Sequence, residues 1–153
     1  MIPVKFLRIN QKAIIPKKAY KHDSCFDLYT PEPIKLNPNE SKTVRLGFKT
    51  ALPSGFEVVI RPRPCLSGNG FLIHHSHIDY DYRGEWILIA QNTSTNCVYE
   101  FKEGERIAQC SLQIILEWDF EEVDDLGEDT LRSASGYGSS GGIGQSYLKG
   151  KNG

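Results

Sequence analysis

Three short segments hold residues that could do chemistry. In Arg61-Pro62-Arg63-Pro64-Cys65-Leu66-Ser67-Gly68 an arginine stands between two prolines. The proline rings stiffen the backbone on both sides. A guanidinium aimed at one fixed point suits a phosphate. Ile78-Asp79-Tyr80-Asp81-Tyr82-Arg83-Gly84-Glu85 carries two carboxylates two residues apart. On a strand they would share a face, close enough to hold a metal or to set a base, and Tyr82 could stack on a ring. Gly104-Glu105-Arg106-Ile107-Ala108-Gln109 leads into an apolar run. Each segment alone also fits an ordinary surface: an exposed arginine loop, a charged hairpin with an Asp–Arg pair, and a turn entering a strand.

A fourth cluster, His74-His75-Ser76-His77, places three histidines within four residues. Imidazoles at this density can bind a transition metal, and on a strand His75 and His77 would share a face. A place beside a ligand pocket and plain exposure are the other two readings.

The elements that must position these residues read as β-structure. Thr43 to Lys49 alternates polar and apolar residues, the mark of a half-buried strand. Phe56 to Ile60 and Trp86 to Ala90 are dense in β-branched and aromatic residues, as central strands are. Val4 to Ile9 reads as a strand, and Ile107 to Leu116 as one long strand or two. Turn signals recur between them: Pro31-Glu32-Pro33, Asn37-Pro38-Asn39, Pro53-Ser54-Gly55, Gly68-Asn69-Gly70 and Glu103-Gly104. No window shows a sustained apolar face at helical spacing. Many short strands with regular turns predict an all-β barrel or jelly roll.

Composition bounds the rest. The chain has 153 residues, which suits one domain with a tail. Hydrophobic residues at 39% and charged residues at 24% are globular usage. Eighteen basic against 19 acidic side chains leave a net charge of -1, without the basic excess of a general nucleic-acid binder. No apolar run approaches the ~18 residues of a membrane span. The start, Met-Ile-Pro-Val-Lys-Phe, does not read as a secretory signal. Cys25, Cys65, Cys97 and Cys110 form no CxxC pair and read as reduced thiols, so the expected location is a cytoplasm, a host's if the source is viral.

The end of the chain differs in kind. Glu117 to Asp129 contains eight acids and no base. Seven of the 14 glycines lie between Gly136 and Gly153. Such a stretch is either a flexible tail or an arm whose amides wrap a phosphate chain. The expected organisation is a β-domain over 1–118, an acidic linker over 119–131 and a Gly/Ser-rich arm over 132–153.

Taken in order, these segments resemble the five motifs of the homotrimeric dUTPase family, the dUTP nucleotidohydrolases. The matching stretches are Ser24-Cys25-Phe26-Asp27-Leu28-Tyr29, Arg61 to Leu66, Ile78 to Gly84, Gly104 to Gln109, and Arg132 followed by Gly136-Tyr137-Gly138-Ser139-Ser140-Gly141. The resemblance implies a distorted jelly-roll assembled as a homotrimer, with its active sites at subunit interfaces and a mobile C-terminal arm. It implies cleavage of dUTP to dUMP and pyrophosphate by water attack on the α-phosphorus, assisted by Mg²⁺. In that scheme Asp79 deprotonates the water, and Arg63 and Gln109 contact the phosphates. Tyr82 lies under the deoxyribose and excludes a 2′-hydroxyl. Asp27 holds hydrated Mg²⁺. Arg132, Gly138, Ser139 and Ser140 belong to the arm that grips the γ-phosphate, and Tyr137 covers the base where the family has phenylalanine. The base side falls to a hairpin that here includes Ile73, His74, Ser76 and His77.

This sequence departs from the family in three places. Pro64 replaces a serine that supplies a hydroxyl and an N–H near the scissile phosphate, and Cys65 replaces a glycine; Ser67 is the nearby hydroxyl that could substitute. The base-reading segment Phe71 to Ile78 is shorter by one to three residues and carries bulky histidines. Ser24-Cys25 stands where small residues with glycine are usual. The alternatives are therefore a hydrolase of another pyrimidine deoxynucleotide, such as dCTP or a modified dUTP, or a weakly active nucleotide-binding regulatory protein. The related dCTP deaminases need a glutamate in the strand after Asp79, and Trp86 to Asn92 has no carboxylate.

Overall fold

The computed structural model describes residues 2–127 and 130. Among them are eleven strands and one helical turn: β1 (Lys5–Arg8), β2 (Phe26–Tyr29), β3 (Ile34–Leu36), β4 (Ser41–Arg45), β5 (Phe48–Ala51), β6 (Phe56–Arg61), α1 (Pro64–Ser67), β7 (Phe71–Ile73), β8 (Ser76–Ile78), β9 (Ile87–Asn92), β10 (Tyr99–Phe101) and β11 (Arg106–Ile114). All pairings are antiparallel. The larger sheets run β2-β11-β6-β8 and β4-β9-β7; β1 pairs with β5, and β3 with β10. This is the expected all-β, jelly-roll class. No helix among the described residues is long and apolar enough to cross a membrane.

One core joins the sheets. Leu28, Leu36, Leu46, Phe48, Ile60, Phe71, Leu88 and Ile107 are its fully buried large side chains. Period-two alternation puts them there: in β9, Leu88, Ala90 and Asn92 face inward while Ile87 and Ile89 face out. Phe48 packs between Phe6 and Trp86, tilted against both rings, with centroids 4.7 and 5.0 Å away.

The expected strand over Thr43 to Lys49 is two strands. Val44, Leu46 and Phe48 all face the core, so the alternation is intact. Between them Gly47 adopts φ +74°, and the chain leaves β9 to pair with β1. A Cβ at Gly47 would stand 2.7 Å from the Asn10 Cβ, so only glycine fits this corner. Glu85 holds it: Oε1 accepts from the Gly47 N–H at 3.0 Å, and Oε2 accepts from Arg45.

The expected hairpin before Asp79 is not a hairpin. β7 pairs with β9, whereas β8 pairs with β6. His74 and His75 are the two residues over which the chain crosses from one sheet to the other. Ile73 and Ile78 are both buried, which pins each strand to the core and leaves no slack for a ladder between them.

Asn92 is the polar hub of the β9 end. It is fully buried, its Nδ2 donates to the carbonyls of Leu36, Asn37 and Cys97, and its Oδ1 accepts from Ser94. The compact unit holding these strands is Met1–Glu117, followed by a second unit, Trp118–Gly153. Within the second, the Trp118 and Phe120 rings meet edge to face at 4.7 Å.

Candidate active site

The central strand of the four-stranded sheet assembles the first cluster. β11 pairs with β2 on one side and β6 on the other, and the register sets Asp27, Gln109 and Arg61 in one row. Just past β6, Arg63 is in an extended conformation at the start of α1. Its Nε donates to Asp27 Oδ1 at 3.0 Å. Arg106, beside a register shift in β11, approaches Asp27 Oδ2 with an Nη at 3.4 Å. Gln109 Nε2 donates to the Pro62 carbonyl at 3.0 Å and so braces the backbone that aims Arg63.

Arg63 and Arg106 both meet the Asp27 carboxylate, and a second carboxylate, Asp23, stands in the cleft lining beside them. Arg63 and Asp27 line an open cleft of about 470 Å³ together with Asp23, Ser24, Cys25, Cys65 and Gln109. The Arg63 fork is the part of this lining that suits an anion with several oxygens. Below it Cys110 is buried, and burial first, then Cys25 and Asp27, pushes its thiol up to about 12.

The second cluster follows β8. Asp79 is exposed, immediately after buried Ile78, and its carbonyl accepts from the Tyr82 N–H at 3.1 Å to close a turn. The Tyr82 hydroxyl donates to the Glu85 carbonyl at 3.1 Å. That lays the phenol over Gly84, where a Cβ would fall 2.1 Å from the Tyr82 oxygen. Arg83 donates to the carbonyls of Tyr80 and Tyr82. The turn is therefore rigid, and it presents Asp79 and Tyr82 (41% exposed) to solvent.

These two clusters sit at opposite ends of β6. Ile78 faces Val58, so Asp79 continues toward Glu57. Arg63 lies six residues further along, which at about 3.3 Å per residue is roughly 20 Å away.

The histidines are divided between roles. His74 Nε2 lies 3.2 Å from Gln91 Oε1, and His77 Nδ1 lies 2.7 Å from Glu57 Oε2. Ser76 Oγ donates to the His74 carbonyl at 3.3 Å. Only His77 is on a strand, so His75 and His77 do not present one strand face. No metal-binding group of three or more His, Cys, Asp or Glu occurs among the described residues. The Ile73 side chain is in the core, leaving only its backbone for a ligand. Ser67 Oγ turns back to the Pro64 carbonyl at 3.3 Å. Ser24, and not Ser67, is the serine in the cleft lining. Arg132, Tyr137, Gly138, Ser139 and Ser140 lie outside the described residues.

Sequence reasoning missed Asp23 and Ser24, which line the cleft, and Arg106, which meets Asp27. Arg106 stood inside a quoted motif with no role, and its pairing with Asp27 depends on the register of two strands distant in sequence. Ser24 figures in the first motif only as a departure from the family. Its hydroxyl was the available signal.

The dUTPase family model matches residues 11–141. The chain belongs to the dUTPase family. It is 38% identical over 141 residues to the deoxyuridine 5′-triphosphate nucleotidohydrolase of Nautilia profundicola, covering 90% of this chain and 98% of that one. It is 39% identical over 137 residues to the enzyme of that name from Clostridium novyi, covering 88% and 95%. Among solved structures, the dUTPase of Staphylococcus bacteriophage 80alpha with dUpNHpp superposes with a TM-score of 0.84 at 21% identity, over 91% of this chain and 98% of that one. A dUTPase from phage phi11 of S. aureus, which coordinates a structural Mg(II) ion, gives 0.76 at 17% identity over 81% and 98%. At these identities the two structures show the dUTPase fold alone.

Proposed function

We propose that the protein is a dUTP diphosphatase, which cleaves dUTP to dUMP and pyrophosphate by water attack on the α-phosphorus. One observation carries the reading. A rigid turn offers an exposed carboxylate, Asp79, beside an exposed ring, Tyr82, and a cleft lined by Asp27, Arg63 and Gln109, with Arg106 against Asp27, stands at the far end of the same strand.

Asp79 takes the proton of the attacking water. Tyr82 packs under the deoxyribose. Arg63 and Gln109 meet the phosphates, where fixed donors act on charge that develops in the transition state. His74, Ser76, His77 and the Ile73 backbone lie on the base side. Arg132, Tyr137, Gly138, Ser139 and Ser140 close over the γ-phosphate and base.

A span of roughly 20 Å is too long for one nucleotide to bridge as a single reaction site, so the two clusters belong to different copies. A homotrimer provides this arrangement three times.

The donor set bears on how magnesium would be held. Asp27 is a single carboxylate whose oxygens already face two guanidiniums. This fits an ion that arrives with the triphosphate and touches Asp27 through water, and not a dedicated cage. When bound, the ion neutralises phosphate charge. Four free cysteines fit a reducing cytoplasm.

One observation favours a second reading. Pro64 has no N–H to offer, and losing one pre-organised donor commonly costs ~10²–10³ in rate. The alternatives are a weakly catalytic nucleotide-binding regulator, or a hydrolase of dCTP or a modified dUTP. A pyrophosphate-release assay over all deoxynucleoside triphosphates with Mg²⁺ separates them. The proposal expects release from dUTP; tight dUTP binding with background release supports the regulator, and release from another base alone supports the second alternative.

A further inference from the structure

We infer that Cys25 and Cys65 are a modification site: a thiol pair that closes into a reversible disulfide across the cleft and shuts off turnover. The inference rests on the reading of this cleft as the phosphate site. Both sulfur-bearing residues line it, together with Asp27, Arg63 and Gln109. Their backbones are already held near each other. Cys25 lies two residues before Asp27, Cys65 lies two residues after Arg63, and the Arg63–Asp27 bond at 3.0 Å ties the two segments together. Cys25 immediately precedes β2, and both it and Asp27 line the cleft.

The four thiols differ in access. Cys65 is exposed, Cys25 is intermediate and Cys110 is buried. Cys97 is exposed, but it sits in the Ser94–Cys97 turn and does not line this cleft. Oxidation follows exposure and nearby positive charge; Cys65 is the more exposed of the two and lies two residues from Arg63, which makes it the first sulfur to react, with Cys25, between Asp23 and Asp27, as its resolving partner.

The oxidant is a peroxide. The Cys65 sulfur attacks one peroxide oxygen, the O–O bond breaks, and hydrogen peroxide yields a sulfenic acid and one water. The Cys25 sulfur then attacks the sulfenic sulfur. The S–O bond breaks, the S–S bond forms, and the hydroxyl leaves as a second water with the Cys25 proton. Two thiols lose two electrons and one peroxide gains them. A disulfide holds its Cα atoms within about 7 Å. The bridge would draw α1 over the cleft and keep Arg63 on Asp27, away from a phosphate.

The test treats the full-length protein with hydrogen peroxide, maps its disulfides under non-reducing conditions, and follows pyrophosphate release from dUTP before oxidation, after it, and after dithiothreitol. The expected result is a Cys25–Cys65 bond, at least roughly tenfold loss of turnover, and recovery on reduction. Cys25→Ser and Cys65→Ser, each judged against its own reduced rate, should lose less than about twofold, and Cys97→Ser should respond like the parent. A Cys25–Cys110 bond, links only between chains, or a Cys25–Cys65 bond with unchanged turnover would each overturn the inference. If the reduced protein releases pyrophosphate from no nucleotide, the functional reading fails separately. The disulfide map then decides the thiol pairing by itself, for it or against it.

Discussion

Arg63 and Asp27 come from segments 36 positions apart in the chain, and Nε meets Oδ1 at 3.0 Å. β11 makes this possible, because it lies between the strand that carries Asp27 and the strand that leads to Arg63. The pair marks the Arg61 end of β6, and Asp79 marks the other. The separation of the two ends is the central geometric fact about the site.

Complementation follows from that separation. Asp79→Asn and Arg63→Ala should each be nearly inactive alone. Co-assembled in equal amounts, they should recover roughly a quarter of the parent activity, because random pairing places an intact Asp79 beside an intact cleft one time in four. Pyrophosphate release from separately purified, mixed and co-expressed proteins checks it. A site within one chain would recover nothing.

The sequence made the theme of the site legible because types and order are local information. Asp27, Arg63, Asp79, Tyr82 and Gln109 could be named from motifs. The alternation of Val44, Leu46 and Phe48 was also readable, but the corner at Gly47 was not, since its requirement comes from Asn10 pressing against it. The same holds for His74-His75, whose flanking strands join different sheets through pairings with β6 and β9. The Arg106–Asp27 contact likewise depends on register. What was missed is the part set by distant partners.

Gly84→Ala should displace Tyr82. The added Cβ would fall 2.1 Å from the phenol oxygen, so the ring must leave its position. We expect about a tenfold drop in kcat/KM for dUTP and a narrower preference over UTP, because the ring no longer fills the space of a 2′-hydroxyl. Steady-state kinetics with both nucleotides checks this. Unfolding should change little, since the turn is exposed.

Asn92→Ala should destabilise the fold by about 2–3 kcal/mol, because it strips a partner from three carbonyls and leaves a small void. The carbonyls are those of Leu36, Asn37 and Cys97. Urea unfolding at fixed protein concentration measures it. A change under about 0.5 kcal/mol, typical of a surface site, would contradict the hub.

Cys110 should make the protein lose stability in alkali. Its thiol titrates near its ordinary 9.0 when unfolded and at about 12 when folded. Between those values the folded state holds the proton and the unfolded state has lost it, so stability falls as pH rises, by up to ~1.4 kcal/mol per pH unit. Below pH 9 the contribution is fully present. Unfolding curves from pH 8 to 10.5 should slope downward in the parent and flatten in Cys110→Ala.

The most direct test of the account is single-turnover pyrophosphate release from dUTP by Asp79→Asn beside the parent protein, with Mg²⁺ and saturating enzyme. The account predicts a fall of about 10²–10⁴, the usual contribution of a general base, with dUTP binding kept within a few-fold. Release at the parent rate from Asp79→Asn would contradict it.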